Sequence, residues 1–183
     1  MSRRFLLLSG LGLAGIAVLA GIHAGLQRSA RLPQAWPAVS AEAVARLFAS
    51  SFGDVDGKVY DVSRWQGKTL VLNFWGTWCP PCRDEMPAFS RLHILYAPQG
   101  VQFVGIALDS AEKVREFSGA TPVSYPLLIG GTAAIDLARD LGNTSLTLPY
   151  TVLVGPDRQA RLVRVGPLSE SELARALQET FVR

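Results

Sequence analysis

The 183-residue chain predicts an α/β domain, a central mixed β-sheet flanked by helices, with an N-terminal β-hairpin and an apolar N-terminal helix ahead of it. Three observations carry this reading. Short β-prone runs alternate with helix-compatible stretches through the second half of the chain. The run Leu70-Val71-Leu72-Asn73-Phe74 is almost continuously apolar, as a strand covered on both faces is. The closing segments read as an antiparallel hairpin followed by an amphipathic helix, and one βαβ crossover completes a mixed sheet.

From Phe5 to Gln27 there is no Asp, Glu, Lys or Arg, and Phe5 to Ile22 is almost wholly Leu, Ala, Gly, Val and Ile. As a helix this run is long enough to cross a bilayer. Arg3 and Arg4 precede it as in a signal peptide, and Val18-Leu19-Ala20 would serve as a cleavage site. The uncleaved anchor is the preferred reading, because the apolar run continues through Gly21-Ile22 and Ala24-Gly25-Leu26. The expected organisation is a cytoplasmic tip at 1–4, an anchor at 5–26, a proline-containing linker at 27–44 and a folded domain at 45–183. Signal-like architecture favours a domain facing the periplasm or cell exterior, although Arg28 and Arg31 nearly balance Arg3 and Arg4.

The formal charge of +3 belongs mostly to the N-terminus. Without Arg3 and Arg4, the 18 basic residues fall to 16 against 15 acidic ones, so the domain offers no basic surface for nucleic acid.

Within the domain, Leu47 to Phe52 and Lys58-Val59-Tyr60 flank the turn signal Asp54-Val55-Asp56-Gly57 and predict a hairpin. Leu70 to Phe74 forms the central strand. The helix after Cys79 carries Met86, Phe89 and Leu92 on one stripe, with Pro87 expected to kink it. Val101 to Leu108 is a second strand ended by Asp109, and Ala111–Ser118 and Thr132–Leu141 read as helices. The stretch from Pro122 to Leu128 between them shows no clean element. Tyr150–Val154 and Ala160–Val165 form a hairpin around Gly155-Pro156-Asp157, and Ser169–Phe181 closes the chain as a capped amphipathic helix.

The chemistry is concentrated in Trp75-Gly76-Thr77-Trp78-Cys79-Pro80-Pro81-Cys82, which holds the only two cysteines. A strand running into Cys-x-x-Cys and then a helix puts both sulfurs at a helix N-terminus, where they can close on each other. The unpaired amides and partial positive charge there favour the Cys79 thiolate. As a staple, so short a loop would contribute only about 2 kcal/mol in the chain-entropy model, so redox chemistry is the better explanation. Pro80 and Pro81 remove two amide hydrogens while that of Cys82 remains, and the pair should tune the redox potential. Trp75 reads as core, Trp78 as a shield of the redox site that contacts partners.

Asn73-Phe74-Trp75-Gly76-Thr77-Trp78-Cys79-Pro80-Pro81-Cys82, then Glu85-Met86-Pro87, then Leu148-Pro149-Tyr150-Thr151, together resemble the thioredoxin superfamily. The match is to the TlpA/ResA-like membrane-anchored thiol-disulfide oxidoreductases and covers roughly residues 45–183. The resemblance implies a thioredoxin-like fold in which Cys79 attacks a partner disulfide and Cys82 resolves the mixed disulfide. It implies that Glu85, one turn after Cys82, shuttles the proton of Cys82; the plainer reading is an acid favourably placed in an early helical turn. An ordinary thioredoxin carries a buried aspartate where this chain has Asn73, which moves the acid role elsewhere. It also implies a cis Leu148–Pro149 bond facing the cysteines, leaving the Leu148 backbone free to pair with an extended substrate.

The expected function is disulfide exchange with protein substrates, in the reducing direction, without a bound cofactor or metal and with recharging by a membrane thiol reductant. Cytochrome c maturation, oxidase assembly and general thiol repair are the open substrate classes. A thiol oxidant and a copper(I) metallochaperone on the same fold are the alternatives; copper-delivery relatives space their cysteines further apart and add a distant histidine. Only His23 and His93 are available here.

Overall fold

The structure, a computed structural model, describes residues 39–181. The predicted anchor at 5–26, the tip before it and most of the linker lie outside the described residues. Among the described residues no helix is long and apolar enough to cross a membrane.

One seven-stranded sheet organises the domain, in the order β2-β1-β5-β4-β3-β6-β7. At its centre lies β3 (Thr69–Trp75), with all seven residues buried. It pairs in parallel with β4 (Val101–Ala107) and antiparallel with β6 (Tyr150–Val154). Next to β6 runs β7 (Ala160–Val165), antiparallel to it, and next to β4 runs the short parallel strand β5 (Leu127–Ile129). The far edge is β1 (Ser51–Gly53) and β2 (Val59–Asp61), paired antiparallel across a turn in which the Asp54 carboxylate accepts from the amides of Asp56 and Lys58.

The period-two alternation of β3 divides the core. Leu70, Leu72 and Phe74 face α1 (Ala41–Phe48) and α4 (Gly131–Asp140), while Val71 and Trp75 face α2 (Pro80–Tyr96), α3 (Ala111–Ala120) and α5 (Glu170–Phe181). The mixed sheet with helices on both faces is therefore as predicted. Ser169 caps α5 by a reciprocal box, its hydroxyl accepting from the Glu172 amide and the Glu172 carboxylate accepting from the Ser169 amide.

Three details differ from expectation. Leu47 and Phe48 do not extend the first hairpin arm: they end α1, whose Ser40 hydroxyl accepts from the Ala43 amide and whose Ala43, Val44, Leu47 and Phe48 make one buried stripe. The packed domain consequently includes residues 41–44, assigned above to the linker. Finally, Leu127–Ile129 is a strand within a stretch that showed no element. Three residues are too few to display a period, and the pairing comes from β4 on one side and β1 on the other.

Leu47 is fully buried in α1. Leu47→Ala is expected to destabilise the domain by about 2–4 kcal/mol in urea or guanidinium unfolding, as large-to-small changes in a packed core do. A loss within about 0.5 kcal/mol, the range of surface substitutions, would show that residues 41–48 are linker after all.

Candidate active site

Strand β3 ends at Trp75, and a four-residue turn closed by the Cys79 amide on the Gly76 carbonyl, 3.1 Å, carries the chain into α2. Cys79 is the N-cap of α2, with Pro80 and Pro81 in the first turn. Both prolines tolerate that position because their missing amide hydrogens would be orphans there. The Cys82 amide donates to Cys79 Sγ at 3.3 Å, so the one amide the prolines leave is aimed at the sulfur. Cys79 and Cys82 are joined as a disulfide with Cα atoms 5.3 Å apart. Cys79 is 4 % exposed and Cys82 fully buried. Cys79 is thus the more accessible sulfur, but more enclosed than its place ahead of the helix suggests, because it packs within an apolar cluster that includes Met86, Leu168 and, at its margin, Leu148.

Glu85 follows Cys82 by three residues on α2, which places both on one helical face, and it is 7 % exposed. Its Oε1 accepts from Asn73 Nδ2 at 2.9 Å and its Oε2 from the Leu168 amide at 3.1 Å. Asn73 Nδ2 also donates to Thr151 Oγ1 at 3.1 Å, so β3, β6, α2 and the β7–α5 loop meet in one buried polar chain. Burial pushes the Glu85 carboxyl up to about 7, against the two bonds from Leu168 and Asn73 that favour its charged form. The charge is felt at Tyr125, whose hydroxyl is buried without a hydrogen-bond partner and whose ionisation is pushed up by burial and then by Glu85. Glu85 thus combines burial, two hydrogen bonds and a carboxyl raised toward neutrality, a setting that a solvated acid at a helix terminus does not have. A carboxyl near neutrality can accept and return a proton at physiological pH.

The remaining candidates assemble on the same side. Leu148–Pro149 is cis, with Leu148 half-buried and Pro149 buried. The Pro149 carbonyl accepts from the Gly166 amide at 2.8 Å, tying this segment to the β7–α5 loop. Trp78 is 62 % exposed beside Cys79, whereas Trp75 is fully buried. A groove of about 410 Å³ lined by Pro81, Asp84, Glu85, Ala88, Pro167 and Leu168 opens next to the cysteines and reaches Glu85. His93 pairs with Ser124 and packs against Phe103 and Tyr125 on α2's far half, away from the redox chemistry. Three contributors escaped the sequence reading: Leu168 as a donor to Glu85, and Asp109 and Thr77, which bond to each other beneath the cysteine turn. A backbone donor such as that of Leu168 leaves no mark in a sequence. An acid at a strand's C-terminal end and a threonine in the preceding turn could have been noted, but their pairing across the sheet could not.

A carboxyl raised from 4.5 to about 7 on folding binds its proton more tightly in the native state, so the contribution of Glu85 to stability is greatest below about 4.5 and falls as pH rises toward 7. That rise corresponds to about 3 kcal/mol. Glu85→Gln lacks this dependence. Its stability relative to the parent should increase by up to about 3 kcal/mol between pH 4.5 and 8 in denaturant unfolding of the oxidised protein. Parallel pH profiles for the two proteins would show that Glu85 titrates normally.

The chain matches the Redoxin family model over residues 35–177. It is similar to the thiol-disulfide oxidoreductase ResA of Geobacillus kaustophilus, 29% identical over 126 residues that span 68% of this chain and 70% of the relative. It is similar as well to ResA of Bacillus cereus, 30% identical over 127 residues, 69% of this chain and 71% of the relative. Among solved structures, the thioredoxin-related protein from Neisseria meningitidis serogroup B superimposes with a TM-score of 0.66 at 32% identity, over 73% of this chain and 100% of that one. The chain belongs to the Redoxin family as a ResA-like thiol-disulfide oxidoreductase of the thioredoxin superfamily.

Proposed function

We propose that this chain reduces protein disulfides on the exported side of the cytoplasmic membrane, to which residues 5–26 tether it. The observation that carries the chemistry is a Cys79–Cys82 pair at a helix N-terminus with a buried carboxyl near neutrality one turn further on. In the reduced enzyme the Cys79 thiolate attacks one sulfur of the substrate disulfide, and the other sulfur leaves as a thiolate that takes up a proton. Glu85 then accepts the Cys82 proton, and the Cys82 thiolate attacks Cys79 Sγ. The mixed disulfide breaks, the substrate's second thiolate is protonated, and the enzyme is left as the Cys79–Cys82 disulfide. Two electrons have passed to the substrate. A membrane thiol reductant returns them.

Trp78, Leu148 and Pro149 are the proposed substrate contacts: the first is an exposed aromatic beside the nucleophile, the second borders the apolar cluster that holds Cys79, and the third follows it across the cis bond. Pro80 and Pro81 are proposed to tune the potential by leaving a single amide, that of Cys82, on the Cys79 sulfur. Reduction is the proposed direction because a ResA-like protein is implied to be a reductant. Superfamily potentials run from about −270 to about −120 mV, roughly 7 kcal/mol, so the sign of the flow is a measurable property of this pair. Apocytochrome c, immature oxidase subunits and damaged secreted thiols are the candidate substrate classes. The anchor is supported by the stretch from Phe5 to Gln27, which holds no Asp, Glu, Lys or Arg, and by Arg3 and Arg4 ahead of it.

Three measurements test this. The full chain in detergent, supplied with dithiothreitol, should reduce a model protein disulfide; Cys79→Ser should abolish the activity, and Cys82→Ser should accumulate mixed disulfides. The potential of the pair should lie nearer about −270 than about −120 mV, and a value at the oxidising end would make the protein an oxidant. For location, a membrane-impermeant maleimide added to intact spheroplasts after mild reduction should label Cys79, and the labelled protein should resist alkaline extraction. Labelling only after lysis would place the domain in the cytosol, and extraction would mean that the N-terminal segment is cleaved.

A further inference from the structure

The turn that carries Cys79 is pinned from a distance. Asp109 follows β4, and its Oδ2 accepts from both the amide of Thr77, 3.2 Å, and the Thr77 hydroxyl. Its Oδ1 accepts from the Ser110 amide at 2.9 Å and lies 3.7 Å from Lys113 Nζ, and its side chain is 5 % exposed. Burial alone would raise this carboxyl; the bonds from Thr77 and Ser110, with Lys113 beside them, hold it below the usual carboxylate range. It therefore stays charged, and a charged acceptor makes the stronger bond. Just before it, the Leu108 amide donates to the Trp75 carbonyl at 2.8 Å, so both ends of the attachment are fastened to β4.

Thr77 is the second residue of the Gly76–Cys79 turn, and Trp78 is the third. The Trp78 indole lies against Gly76: a Cβ there would stand 2.7 Å from its Nε1 and 2.8 Å from its Cε2. Held by Asp109 beneath Thr77 and seated on a bare Gly76, the indole keeps an orientation that leaves it 62 % exposed. An exposed tryptophan would otherwise sample several rotamers, and ordering it during docking would weaken binding.

We propose that Asp109 is a positioning residue for substrate docking: through Thr77 it fixes the cysteine turn so that Trp78 is presented to a protein disulfide as a preset aromatic contact. The inference rests on the exchange reading of the Cys79–Cys82 pair. A protein substrate meets the Trp78 surface as well as the sulfur, whereas a small disulfide needs little more than the sulfur. The loss of this support therefore appears as discrimination between the two.

The test uses the reduced full chain and two substrates, insulin and glutathione disulfide. Asp109→Asn and Thr77→Val should each lower the ratio of insulin to glutathione-disulfide rate constants by about fivefold to tenfold, chiefly through KM for insulin. Thr77→Ser, which keeps the hydroxyl, should restore the ratio to within about twofold, and the double variant should fall no further than the worse single one. Gly76→Ala, which displaces the indole while Asp109 stays in place, should lower the ratio as Thr77→Val does. Equal proportional losses on both substrates, or single effects that multiply in the double variant, would make Asp109 a stabilising residue only and overturn the proposal. If Asp109→Asn does not fold, Thr77→Val and Gly76→Ala decide the matter alone. Cys79→Ser retaining activity on either substrate would instead sink the exchange reading itself.

Discussion

The complete burial of β3 is the constraint on which the active site depends. A strand covered on both faces and hydrogen-bonded on both edges has one register available, because a slip of one residue would exchange its two faces. That register sets Asn73 opposite Gly105 on one side and Thr151 on the other. Gly105 leaves room where a Cβ would stand 2.8 Å from Leu127 Cδ2 and 3.1 Å from Trp75 Nε1. The buried amide of Asn73 can then reach Glu85 and Thr151 together, and the strand's last residue delivers the cysteine turn to the N-terminus of α2.

Two carboxyls near that turn show how environment divides one chemical group into two roles. Asp109 receives the amide and hydroxyl of Thr77 and the amide of Ser110, with Lys113 close by, and is held below the ordinary range. Glu85 receives two bonds, but there burial outweighs them and raises it to about 7. The first keeps its charge and serves as an anchor. The second can change its charge near neutrality, which suits the proton-carrying role proposed for it. Both act on the same segment, one below the turn and one behind the helix that follows it.

Much of this was legible in the residues. The apolar run at Leu70–Phe74 announced a central strand, since only a strand covered on both sides stays apolar without alternating. Cys79-Pro80-Pro81-Cys82 after that strand announced the redox centre and even its one remaining amide. The capped amphipathic pattern from Ser169 to Phe181 announced the last helix. Where the reading failed, the local signal was short or doubled. Leu47 and Phe48 suit a strand as well as a helix, and the buried stripe with Ala43 and Val44 decided the matter by packing. Leu127–Ile129 is a strand only because β4 and β1 supply its partners.

The sequence by itself determined the chemistry and its place in the chain: two thiols, their spacing, the strand that leads to them and the acid one turn beyond. Those are local properties, set by neighbours a few residues away. Tertiary structure alone decided what that acid is worth. Spacing put Glu85 on the face of Cys82. Its shift toward neutrality comes from burial behind an apolar wall that excludes water, held back by the bonds from Asn73 of β3 and from Leu168 of the loop after β7. The bond from Asp109 to Thr77 likewise spans 32 positions of sequence. Desolvation and hydrogen bonding act through space, and residues far apart in the chain become partners only when the sheet brings them together.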